Sequence, residues 1–130
     1  MPSMHSITIL AAGMAALIHL WFFAMESAWF MRPSVYGRFG LASEEQARIV
    51  RSWAYNQGFY NLFLALGVVL GLTLLVMGDV AGSRAVLLFA CGSMIAAGVV
   101  LLLHNRAFLR PALIQAVPPL VAIVPLLAFG

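Results

Sequence analysis

Glu26 stands near the end of an otherwise apolar run that begins at Ile7. An ionisable side chain inside a membrane span is costly, so it normally faces the bundle interior or water, with a partner. His19, Phe22, Phe23 and Glu26 are spaced i, i+3, i+4, i+7, which puts an imidazole, two rings and the acid on one helical stripe. A second polar run, residues 56–61, reads Asn-Gln-Gly-Phe-Tyr-Asn. There Asn56 and Tyr60, and Gln57 and Asn61, form two i, i+4 pairs. Gln115, shortly before Pro118 and Pro119, offers an amide from a third segment, beside carbonyls that the prolines free. If these stripes face one another, Glu26, His19 and Tyr60 are the acid–base groups of one chamber. Asn56, Gln57, Asn61, Gln115, Phe22, Phe23 and Trp53 would then line it, amides fixing orientation and rings supplying an apolar wall. The chemistry expected is binding, and proton exchange with, a small and mostly apolar molecule.

Elements that could hold such a layer are set by composition. With 130 residues, 64% of them hydrophobic and 8% charged, the chain exceeds what a small soluble domain can bury. Its mean hydropathy of +1.03 agrees. Four apolar stretches, at about residues 7–31, 53–77, 84–103 and 112–129, each approach the roughly 20 residues a crossing needs. The expectation is an all-α integral membrane four-helix bundle, residues 1–130 forming one domain in the inner (plasma) membrane. A cleaved leader would want positive charge before a shorter apolar core. No Lys or Arg precedes Ile7, so the first segment reads as a retained span.

Every basic residue in the Lys+Arg count is arginine, and arginine sets orientation. Arg32, Arg38, Arg48 and Arg51 follow the first span, and Arg106 and Arg110 follow the third; only Arg84 lies by the remaining loop. That bias puts loops 1–2 and 3–4 in the cytoplasm and both termini outside, and argues against an inverted, dual-topology dimer. The arginines form no stripe, so the pI of about 9.8 does not point to nucleic acid. With Arg32, Arg51 and Arg110 as surface markers, Glu26, Asn56, Gln57 and Gln115 all fall about 7.5–9 Å inside. Tyr60 and Asn61 fall at about 13–15 Å and His19 at about 19 Å.

Ser43 and Gln46 make a capping-box pattern, so the second helix should begin near Glu44. Residues 32–40 read as a loop, Ser83 as an N-cap for the third helix, and Pro111 as the first residue of the fourth. Gly67 and Gly71, Ala12 and Ala16, and Gly92 and Ala96 have the spacing that lets membrane helices approach, within the chain or between copies. Aromatics concentrate at the other end, where Trp29 and Trp53 also suit interfacial anchoring. Cys91, alone, reads as a small buried hydrophobe.

The order His19, Glu26, Trp29, then residues 56–61, then Phe63-Leu-Ala-Leu-Gly67, then Gln115 close before Pro118, resembles a bacterial family of small four-helix membrane proteins, the DUF1304 type, a domain of unknown function. The resemblance covers nearly the whole chain. It implies four spans and a signature containing Glu26, Asn56, Gln57, Tyr60 and Asn61, and it implies no activity. The third span, mostly Gly, Ala and Leu, departs from that pattern. Trp53-Ala54, Gly58 and Asn61 also resemble the second helix of styrene-oxide-type epoxide isomerases, four-helix membrane proteins that bind haem. Gln57 stands about where their haem-ligating histidine would be.

Other readings compete. Proton-coupled transport would also use one membrane glutamate, but alternating access favours a site at the midplane and a less one-sided arginine distribution. Haem, with His19 as axial ligand, would rest on a lone imidazole with no Cys-x-x-Cys-His beside it. An accessory membrane subunit would use the polar layer as an interface, and singly the amides and His19 equally fit hydrogen bonds between helices. Glu26 near the interface could also snorkel or pair with Arg32 or Arg51. No metal is expected: His19 and Glu26 are about 10 Å apart along one helix, too far to share an ion.

Overall fold

The computed structural model describes residues 4–129, with side chains over 5–128. Every regular element is helical, and no strand occurs among the described residues. Helix α1 is Met4–Phe23, followed by a π turn at Ala24–Ala28; a short helix α2, Pro33–Tyr36, leads into a 3-10 turn at Gly37–Phe39. Then come α3, Glu44–Val76, and α4, Val80–His104; a 3-10 turn at Arg106–Phe108 leads into α5, Leu109–Phe129. Four segments are long and apolar enough to cross a membrane: His5–Ala28, Glu44–Val76, Val80–His104 and Arg106–Ala128. At 33 residues, α3 is roughly 50 Å long, well beyond a hydrocarbon core of roughly 30 Å. Its first two turns hold Glu44, Glu45, Arg48 and Arg51, side chains suited to the interface.

Local chemistry explains the ends. The capping box forms: Ser43 Oγ accepts from Gln46 N–H at 3.2 Å, and Gln46 Oε1 accepts from Ala42 N–H at 2.8 Å. Gly78 adopts φ +91°, the left-handed conformation that ends a helix most cheaply with glycine. Because α3 stops there, Asp79 is the first residue after that glycine, and its Oδ1 caps α4 by accepting from Gly82 N–H at 2.9 Å. Asp79 thus takes the capping role expected of Ser83, which lies inside α4 and is buried. Pro111 sits two residues into α5, after Asn105 has capped the preceding turn through Ala107 N–H at 2.9 Å. Residues 32–40, expected as a loop, contain α2, with Pro33 at its first position where the missing N–H is harmless.

The chain divides into two compact units, one joining residues up to Ile18 with those from Leu64 onward, the other His19–Phe63. The first is built on small side chains. Ala12, Ala15, Ala16, Ala65, Ala90 and Ala122 pack with Leu87, Cys91 and Met94. A Cβ on Gly71 would lie 2.6 Å from Leu87 Cγ, and one on Gly98 would lie 3.0 Å from the Ala112 carbonyl oxygen. These glycines let helix backbones approach within the chain. The buried Thr8 hydroxyl donates to the Ala122 carbonyl at 3.0 Å, tying α1 to the proline-containing α5. Gly67 and Gly71 face Ala90 and Leu87 of the same chain, and Ala12 and Ala16 are buried; Gly92 has open space beside it.

Candidate functional site

Unit His19–Phe63 holds the acid. In the π turn Trp29 N–H reaches five residues back to the Ala24 carbonyl at 2.8 Å, widening the helix where Glu26 sits. Such turns recur at functional sites because the inserted residue re-aims its neighbours. Met25 and Glu26 are turned inward, Glu26 being 9% exposed. Across from it, the buried Asn61 donates from Nδ2 to Glu26 Oε1 at 2.6 Å. This is the carboxylate–amide pairing expected from the sequence, and it joins segments 35 positions apart.

Adjacent bonds hold the two segments in register. Ser27 Oγ donates to the Tyr55 carbonyl at 2.8 Å, and Gly58 leaves room for it. Any Cβ on Gly58 would overlap Ser27 Oγ and approach Ser27 N to 3.1 Å. Phe23 meets Phe59 edge-on with ring centroids 5.1 Å apart, and Phe59 also contacts Tyr55 at 5.0 Å. Beside the Glu26–Asn61 pair lies an open cleft of about 430 Å³, walled by Phe30, Phe39, Leu41, Val50, Trp53 and Ala54, with Glu26 and Gln57 as polar lining.

Of the expected site residues, the structure brings Glu26, Asn61, Gln57 and Trp53 together. Phe23 supports the junction through Phe59, and Phe22 packs edge-on against the fully buried His19 at 5.3 Å. Asn56 and Tyr60 do not join them. Both are exposed, Tyr60 at 59%; Gln57 is exposed as well but lines the cleft beside the acid, and Asn61 is buried against it. Successive residues of a helix are turned by roughly 100°, so the two stripes point in different directions. Gln115 lies in α5, half-buried, and belongs to the other unit.

Neither arginine considered as a partner for Glu26 takes that role. The Arg32 guanidinium lies over Trp29, 5.1 Å from the ring centroid, and the only ion pair among the described residues is Arg48 with Glu44 at 2.6 Å. Among the described residues no three His, Cys, Asp or Glu side chains converge on a metal-sized space. His19, the residue considered as a haem ligand, is 0% exposed and meets Phe22 edge-on.

Phe30, Phe39, Leu41 and Val50 were not anticipated as lining. Phe30 and Phe39 flank α2 with centroids 5.5 Å apart, and only the fold of residues 32–40 reveals that they wall one cleft. Gly58 did carry a signal: a glycine inside a helix costs about 1 kcal/mol relative to alanine, and small residues are where membrane helices can approach closely.

An all-helical chain with four segments suited to crossing a bilayer is a multi-pass membrane protein. It belongs to the family described as "Protein of unknown function (DUF1304)", whose model matches residues 13–127. No curated protein and no solved structure matches it.

Proposed function

We propose that this protein binds a small, mostly apolar molecule in the cleft beside Glu26 and exchanges a proton with it. The carrying observation is a buried carboxyl, anchored on one oxygen by Asn61, that also lines an aromatic-walled cleft. Apolar walls with a few convergent polar groups are the usual make-up of a small-molecule site. A carboxyl so anchored has a defined orientation, which general acid–base transfer requires. Gln57 offers an amide that can donate to or accept from the ligand. The arginine distribution supports a location near the cytoplasmic face of the inner membrane, with both termini outside.

The test is native mass spectrometry of the purified protein and its Glu26→Gln variant. A discrete small molecule retained by the first and lost by the second is the expected result. A stoichiometric partner polypeptide, with no small molecule, would replace this reading by an accessory role.

A further inference from the structure

We infer that the molecule taken by the cleft carries one protonated amine, its ammonium seated on Glu26 and its apolar body lying along Phe30, Phe39 and Trp53. This rests on the cleft being a ligand site, as proposed above. It adds the ligand's charge, which the local balance of groups specifies.

Three observations converge. First, the acid has no cation of its own. Arg48 is held by Glu44, Arg32 lies over Trp29, and among the described residues no basic nitrogen lies within ion-pair distance of Glu26. A buried charge normally has a partner, so the missing counter-charge is one a ligand can supply.

Second, the carboxyl is half engaged. Oε1 accepts from Asn61, while Oε2 accepts no hydrogen bond among the described residues, and the side chain borders the cleft. An acceptor left open on a residue that lines the cleft can take a donor from the ligand.

Third, the wall suits a cation and carries nothing that repels one. It contains Trp53, Phe30, Phe39 and the Gln57 amide, with no Lys, Arg or His. Aromatic faces attract ammonium groups electrostatically, Trp most strongly. An ionised carboxylate ligand would meet like charge on Glu26, whereas a neutral ligand would leave Glu26 to carry its own proton.

The experiment uses the full chain in lipid nanodiscs and three probes of one shape: 4-phenylbutylamine, 4-phenylbutanol and 4-phenylbutyrate. Isothermal titration calorimetry reads their binding to the wild type, Glu26→Gln and Gln57→Leu. The amine should bind best, and Glu26→Gln should weaken it by roughly 10- to 100-fold, the worth of a hydrogen bond to a charged group. The alcohol should bind more weakly and change little in Glu26→Gln. If the alcohol binds as tightly as the amine and Glu26→Gln affects neither, the ammonium assignment falls and the cleft reading survives. If none of the three binds the folded wild type, both fall. Should Glu26→Gln fail to fold, protection of wild-type Glu26 from carbodiimide labelling reads the same contact. Protection by the amine but not the alcohol supports the inference, and equal protection overturns it.

Discussion

Gly58 is the position where a single methyl group tests the geometry of the site. Substitution by alanine would drive Cβ into Ser27 Oγ, with Ser27 Cβ at 3.0 Å and the Ser27 backbone nitrogen at 3.1 Å. The hydroxyl cannot swing aside freely, because it donates to the Tyr55 carbonyl at 2.8 Å. Overpacking of this kind costs about 1–3 kcal/mol. Losing the Ser27–Tyr55 bond adds about 1 kcal/mol. Against this, replacing a mid-helix glycine by alanine returns about 1 kcal/mol of helix propensity. The balance is a net destabilisation of about 1–3 kcal/mol. Thermal unfolding in mild detergent, followed by tryptophan fluorescence, measures it. The control is the double variant Ser27→Ala/Gly58→Ala, which deletes the clashing oxygen. Ser27→Ala alone should cost about 1 kcal/mol, and the double variant should be more stable than Gly58→Ala. A Gly58→Ala protein as stable as wild type, or a double variant no better than it, would refute the close approach of the π turn to α3. Since Ser27 adjoins Glu26, the same series should shift the probe affinities in parallel with stability.

Two further substitutions follow from the same reasoning. Asn61→Leu leaves the buried Glu26 oxygen without its donor and should cost about 1.5–3 kcal/mol, whereas replacing both partners, Glu26→Leu/Asn61→Leu, should recover much of that in the same melts. Gly71→Ala brings Cβ within 2.6 Å of the fully buried Leu87 and should destabilise by about 0–2 kcal/mol after its propensity gain, while Gly92→Ala, with nothing within 4 Å, should be neutral or stabilising. Equal melting temperatures for these two alanine variants would count against the packing of α3 on α4.

Much of the fold was legible because hydropathy and capping are local signals. Four apolar runs require only length to be recognised, and Ser43 with Gln46 marks the start of α3 within four residues. The cap of α4 was not legible in the same way. Asp79 and Ser83 are both competent N-caps, and the choice falls to Asp79 because Gly78 takes a left-handed φ and ends α3 immediately before it. A glycine's backbone choice depends on both helices it separates, not on its neighbours in sequence.

At the site, the spacing of residues 56–61 narrowed the partners of Glu26 to two adjacent stripes of α3, Asn56–Tyr60 and Gln57–Asn61. Choosing between them needs the rotation of α3 to better than the roughly 100° separating successive residues. Periodicity supplies no such reference, since aromatic and polar side chains surround that stretch on every side. The decision comes from Gly58: it is the one position in the run without a Cβ, so that face can receive the Ser27 hydroxyl. With Gly58 turned toward the π turn, Asn61, three residues on, is carried to Glu26, and Asn56 and Tyr60 are carried outward. The π turn also bears on the match, because its wider turn re-aims Glu26 relative to the stripe that His19 and Phe22 define. A regular helix through Ala28 would present Glu26 at a different angle, and hydrophobic spacing cannot distinguish the two.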